Sequence, residues 1–206
     1  MLYVFTGIDQ LPEDFIRTCS YFLPKWRLDR VMSYRFPSGR KQCAMAYLLL
    51  VYALKKEGFF NALPEFGYNG NGKPFLSNYP DIYFNLSHCH DVVACFLSDE
   101  EVGVDVERVC KYDDDLARAI CSDNEYRWIS GSSDPDIRAK YFTELWTRKE
   151  SLVKCNGTGL NCDLKNIFTG DCPDMTCRDF LISSFYDQTG DFYISTCRTN
   201  NQNIIK

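Results

Sequence analysis

The sequence predicts an α+β fold built from two similar halves, and three observations lead to that expectation. A strand pattern, short helical stretches, a long helical stretch and further strands follow one another across residues 1–100, and the same order returns across 101–206. The two long helical stretches, from about Ser38 to Lys56 and from about Pro135 to Cys155, are each followed by segments with strand character. No low-complexity or linker-like segment separates the halves. They are therefore expected to pack tightly, each with a small, mainly antiparallel sheet on its long helix, and any shared site should lie between them.

Taken in order, "LYVFTGI" (2–8) reads as a strand and 12–22 as a short helix. The first long helix carries Ala44, Tyr47, Leu48, Val51, Tyr52 and Leu54 as apolar positions and closes at Gly58, a common helix terminator. "FGYNGNGKPFL" (66–76) has the glycine and asparagine content of a loop. "IYFNLSH" then puts Ile82, Phe84 and Leu86 on one face, "VVACFL" (92–97) continues as a second strand, and "SDEE" turns the chain into "VGVDVERV" (102–109). Three consecutive strands with short connections predict an antiparallel meander. After them come "DDDLARAIC", a helix beginning near Ser122, the second long helix and a glycine-rich exit, "NGTGL" (156–160). Strands are expected near 164–169, 177–186 and 191–198, the last two joined by the turn "DQTGD".

Composition narrows the function. A chain of 206 residues with 45% hydrophobic and 15% aromatic content buries a substantial core and is not disordered. Its net charge of −5 argues against a nucleic-acid partner held by phosphate neutralisation. Residues 25–41 run against that balance, with Lys25, Arg27, Arg30, Arg35, Arg40 and Lys41 facing a single acid, Asp29. That segment is a candidate anion site. The eleven cysteines are odd in number, irregularly spaced and free of CxxC pairs, and the N-terminus has no secretory pattern. Reduced thiols and a cytoplasmic location are expected. No apolar run approaches the ~18 residues of a membrane span, so no membrane partner is expected. "HCH" (88–90) lacks a second ligand pair at a zinc-like spacing.

"GVDVER" (103–108) interrupts a valine-rich strand pattern with two acids. Val104 and Val106 share one face, while Asp105 and Glu107 share the other. Two readings stand: a solvated edge that discourages aggregation, or a cradle for a hard cation such as Mg²⁺. In "LWTRKESLVKCNGTGL" (145–160), Glu150 and Lys154 lie four apart on one helix face, with Trp146 one turn earlier. Alone, that pair reads first as an exposed ion pair.

The conjunction of "NGKPFL" (71–76), "FNLSHC" (84–89), "GVDVERV" (103–109) and "WTRKESLVKCNGTGL" (146–160) resembles the 4′-phosphopantetheinyl transferases, in the two-lobed type typified by the surfactin-synthetase-activating enzyme. The resemblance spans nearly the whole chain. It implies a pseudo-dimeric monomer with its site between the lobes. It also implies transfer of the phosphopantetheine arm of coenzyme A to a serine of an apo acyl or peptidyl carrier protein, with Mg²⁺ as cofactor and adenosine 3′,5′-bisphosphate as the released product.

Residue roles follow by the same match. Asp105, Glu107 and Glu150 would be the Mg²⁺ ligands, with Asp105 also at the coenzyme; Glu150, directly or through a metal-bound water, would take the proton of the attacking serine, and Lys154 would face the pyrophosphate. Ser87, His88 and Lys73 would reach the cofactor phosphates. Arg27 and Arg30 would neutralise the 3′-phosphate, and Arg40, Lys41 and Gln42 would begin the nucleotide contacts at a helix start that favours phosphate in any case. Cys89 and His90 depart from the family pattern, where serine and a smaller residue are common. Glu125 has two readings: "SDNE" (122–125) fits a capping box, and it also matches a family glutamate near the metal or proton path. Two other activities would use parts of the same set, an Mg²⁺-dependent coenzyme A or nucleotide pyrophosphatase and a non-catalytic coenzyme A binding protein.

Overall fold

A computed structural model of the chain describes residues 1–157, 164–168, 177 and 179–200. The first half contains β1 (Leu2–Thr6), a 3₁₀ turn (Ile8–Gln10), α1 (Phe15–Cys19), α2 (Lys25–Met32), α3 (Pro37–Lys56), β2 (Phe66–Tyr68), β3 (Pro74–Leu76), β4 (Tyr83–Cys89) and β5 (Val92–Ser98). The second contains β6 (Val102–Arg108), α4 (Asp114–Ile120), α5 (Asp123–Ser130), α6 (Pro135–Asn156), a 3₁₀ turn (Leu164–Asn166), β7 (Phe180–Asp187) and β8 (Phe192–Thr199). Among the described residues the strands form antiparallel sheets ordered β1-β5-β4, β2-β3 and β6-β8-β7, so the α+β class holds as expected.

Both long helices start on a proline in the first turn, where a missing N–H costs nothing. Helix α3 buries Cys43, Ala44, Tyr47, Leu50, Ala53 and Leu54 and lies on β5. Its inner face meets Ile8, Leu76, Phe84, Val93 and Leu97 in the first core. Helix α6 is capped by the Asp134 side chain, buries Phe142, Leu145, Leu152 and Val153, and lies on β6 and β8. A further apolar layer joins the two three-stranded sheets, with Val92 and Ala94 from β5, Val104 and Val106 from β6, and Phe192 and Ile194 from β8.

The expected meander is not formed. Strand β1 already occupies the second edge of β5, in a register running from Leu2 opposite Phe96 to Thr6 opposite Val92. Strand β6 is therefore diverted into the other sheet, where it pairs with β8. Its free edge runs beside the free edge of β4, and side chains replace the backbone ladder there. The Val104 N–H donates to Asn85 Oδ1 at 3.0 Å and the Val106 N–H to Ser87 Oγ at 3.4 Å.

Other boundaries also differ. The expected loop at 66–76 contains the β2–β3 hairpin, because Asn69 Oδ1 accepts the N–H groups of Asn71 and Lys73 and closes the turn with its own side chain. The helix expected at 12–22 is only the short α1, and α2 is an additional helix directly after Pro24. A 3₁₀ turn replaces the strand expected near 164–169. Residues 158–160 of the glycine-rich exit, residue 169 and residue 178 lie outside the described residues.

Candidate functional site

The site begins with a glycine. A Cβ at Gly103 would stand 1.9 Å from the Ser151 carbonyl oxygen and 2.4 Å from the Cys155 nitrogen, so only glycine lets the backbone of α6 rest directly on β6. Two residues further along β6, Asp105 meets the last turns of the same helix. Its Oδ1 accepts from Lys154 Nζ at 2.5 Å and from Ser87 Oγ at 2.9 Å, and Lys154 Nζ also reaches Ser87 Oγ at 3.0 Å. Side chains from β4, β6 and α6 thus meet at one point.

A cleft opens around that point. Ser87 and His88 come from β4, Asp105 and Glu107 from β6, and Trp146, Glu150 and Lys154 from successive turns of α6. It continues past Glu150 and Lys154 into a cavity of about 340 Å³ edged by Asn71, Gly72, Lys73, Asn85 and Gly157. That volume suits a small-molecule segment. Gly157 closes α6 with φ of 67°, and Asn71 Nδ2 donates to its carbonyl oxygen at 2.9 Å, which ties the β2–β3 hairpin to the helix end.

Burial and one another's charge disfavour the ionised forms of the acids in the cleft. Burial, then the charge of Asp105, pushes Glu107 up to about 7, with Lys154 opposing. Burial, then Asp105, likewise raises Glu150. His88 stands at the solvent-facing rim, yet desolvation by the cleft walls and then the Lys154 cation lower its pKa. Asp105 Oδ2 and Glu150 Oε1 are buried and have no hydrogen-bond partner among the described residues. Unpartnered carboxylate oxygens suit Mg²⁺, a hard ion that takes oxygen donors and leaves positions for water and phosphate. Among the described residues no group of three or more His, Cys, Asp and Glu side chains stands ready to hold a metal ion, and Lys154 occupies Asp105 Oδ1. The donor chemistry fits the ion; the lysine stands where it would compete.

The remaining predicted residues spread over wider ground. Lys73 donates to Glu101 Oε2 at 2.5 Å, to the Cys155 carbonyl at 2.8 Å and to the Val102 carbonyl at 3.1 Å, at the wall of the cavity. Arg27 is buried against Tyr47 and Phe66, with Nη2 donating to the Cys43 carbonyl and Nε without a partner among the described residues. Arg30 is exposed over Tyr34. At the start of α3, Arg40 donates to the Tyr34 carbonyl, Lys41 to the Leu11 carbonyl and Gln42 to the His90 carbonyl. Gln42 thus joins that helix start to the β4–β5 turn beside His88.

Glu125 is not among the cleft residues. Its carboxylate accepts from the Ser122 N–H at 2.7 Å, completing a capping box, and from Lys149 Nζ at 2.6 Å. Both members of that ion pair are buried, and Lys149 also donates to the Ile120 and Leu164 carbonyls. Lys149 and Asn85 are not among the sequence-predicted residues, yet each left a trace. Lys149 falls in the apolar stripe of α6 between Leu145 and Leu152, and Asn85 lies two residues from Ser87, on the same face of β4.

Residues 101–200 match the family model ACPS, described as the 4'-phosphopantetheinyl transferase superfamily. A 4'-phosphopantetheinyl transferase of Bacillus subtilis is 30% identical over 149 residues, covering 66% of this chain and 66% of the relative. The 4'-phosphopantetheinyl transferase gsp of Aneurinibacillus migulanus is 36% identical over 114 residues, covering 55% and 45%. The chain therefore matches only part of these relatives' lengths. A crystal structure of Thermotoga maritima holo-(acyl-carrier-protein) synthase aligns with a TM-score of 0.39 and 21% identity, covering 48% of this chain and 62% of that one.

Proposed function

The chain belongs to the 4'-phosphopantetheinyl transferase superfamily, and from that premise we propose that it moves the 4′-phosphopantetheine arm of coenzyme A onto a serine of an apo acyl or peptidyl carrier protein. The observation that carries this reading is the meeting of Ser87 and His88 with Asp105, Glu150 and Lys154 in one cleft. Residues 1–100 would supply the coenzyme's phosphate and nucleotide contacts, and 101–206 the acids. Arg27, Arg30, Arg40, Lys41, Gln42, Lys73, Ser87 and His88 are the proposed contacts in the first half.

Asp105, Glu107 and Glu150 would hold Mg²⁺, with the unpartnered oxygens of Asp105 and Glu150 as donors. When bound, the ion neutralises charge on the coenzyme's pyrophosphate. In the transfer, the serine oxygen bonds to the β-phosphorus of coenzyme A and the bond from that phosphorus to the bridging oxygen breaks. The hydroxyl proton goes to Glu150, directly or through a water. The electron pair leaves with adenosine 3′,5′-bisphosphate, and Lys154 faces the developing charge. Glu125 would act through the fold, as cap and buried partner of Lys149.

No described helix is long and apolar enough to cross a membrane. The odd number and irregular spacing of the eleven cysteines support a reducing compartment, and we place the protein in the cytoplasm as a monomer. Chromatography of the nucleotide products tests the reading. Adenosine 3′,5′-bisphosphate should form only when an apo carrier and Mg²⁺ are both present. Release of free phosphopantetheine without any carrier would make the protein a pyrophosphatase instead.

A further inference from the structure

The two halves meet at an edge where no backbone ladder exists. Strands β4 and β6 belong to different sheets, yet they run side by side in the same direction with a constant offset of residues 85 to 104 and 87 to 106. The N–H groups of Val104 and Val106 point toward β4 and are buried with their residues, so each needs an acceptor there. Ser87 Oγ supplies one at 3.4 Å, and Asn85 Oδ1 supplies the other at 3.0 Å. Asp105 lies between them in sequence. Its own Oδ1 is bound by Ser87 and Lys154, so any slip of β6 against β4 would carry the acid away from His88 and disturb the Lys154 contact.

We propose that Asn85 is a positioning residue for the transfer reaction. Its Oδ1 sets the register of β6 against β4 and so holds the acid of the second half in place beside the anion-binding side chains of the first. The proposal rests on the transferase reading above. Asn85 is buried to 6% exposure at the cavity wall, and its longer side chain makes the shorter of the two bridges. A leucine of similar size would fill the space and leave the Val104 N–H without an acceptor.

The conservative variant is suggested by the structure itself, because a serine already spans the equivalent gap two residues along. In Asn85→Leu, kcat for loading a carrier should fall roughly 10- to 100-fold, the cost of removing a supporting hydrogen bond behind a site residue. KM for coenzyme A should change far less. Asn85→Ser should recover most of the rate. Amide hydrogen exchange supplies a readout independent of turnover: protection of the Val104 N–H should drop in Asn85→Leu and return in Asn85→Ser, at a temperature where circular dichroism finds both folded. An active Asn85→Leu enzyme with wild-type kcat overturns the positioning role, as does unchanged Val104 protection. A leucine variant that does not fold leaves the decision to Asn85→Ser and Asn85→Ala, where equal rates would also overturn it. A wild-type protein that loads no apo acyl or peptidyl carrier overturns the transferase reading itself, and the exchange data then stand as a description of the clamp alone.

Discussion

Lys154 Nζ lies 2.5 Å from Asp105 Oδ1, and the contact joins the last turn of α6 to the middle of β6. In the proposed transfer the lysine serves two partners in turn, first the acid and then the coenzyme's phosphates. Asp105→Asn keeps the shape and the hydrogen bond to Ser87 while removing the charge. Transfer should fall by about 100-fold or more, as for loss of a group that meets charge in the transition state. Circular dichroism should stay native, and a full-rate Asp105→Asn enzyme would remove the metal assignment.

Glu107 predicts a trade between stability and activity. Its unfolded pKa is 4.5 and its folded value is raised to about 7, so without a divalent cation the folded state binds more protons between those limits. Stability from this group is thus lost as pH rises from about 4.5 to about 7 and stays lost above. Glu107→Gln should melt at a higher temperature than wild type at pH 8 in EDTA, with the gain shrinking toward pH 4.5. Transfer should collapse in the same variant. A Glu107→Gln protein less stable than wild type at pH 8 would contradict the burial of the Glu107 carboxylate and its crowding by Asp105.

The Glu125–Lys149 pair predicts a structural role measurable apart from catalysis. Lys149→Met leaves the Glu125 carboxylate buried without its cation, which should cost about 3–5 kcal/mol in urea denaturation. The double variant with Glu125→Gln should be no worse than Lys149→Met, because the orphaned charge is gone. Strictly additive losses would mean that the two side chains act separately.

Gly103→Ala should be costly out of proportion to one methyl group. The added carbon collides with backbone atoms of Ser151 and Cys155, and neither can turn aside as a side chain would. About 1–3 kcal/mol of stability should be lost. Activity at a temperature where the variant remains folded should fall further, because α6 carries Glu150 and Lys154 away from Asp105 as it yields. Normal turnover in a destabilised Gly103→Ala enzyme would separate the packing from the site.

The acids of the cleft were legible because their spacing is local. Period two put Asp105 and Glu107 on one strand face, and a separation of four put Glu150 and Lys154 on one helix face. The capping box at Ser122 was legible for the same reason. Strand partners were not, because β1 claims the free edge of β5 from ninety residues away in sequence, and no local pattern announces it. That long-range pairing sends β6 to the second sheet and creates the β4–β6 edge on which Asn85 and Ser87 act. Lys149 reads as a surface charge until the helix is packed, when its position in the apolar stripe puts it inside.

Phosphopantetheine transfer itself is decided by intact-mass measurement of apo acyl and peptidyl carriers after incubation with this protein, coenzyme A and Mg²⁺. At least one carrier should gain one phosphopantetheine arm, on its serine, and EDTA should prevent the gain. Unchanged masses across the whole panel, with wild-type protein that is folded and binds coenzyme A, would contradict the proposed activity.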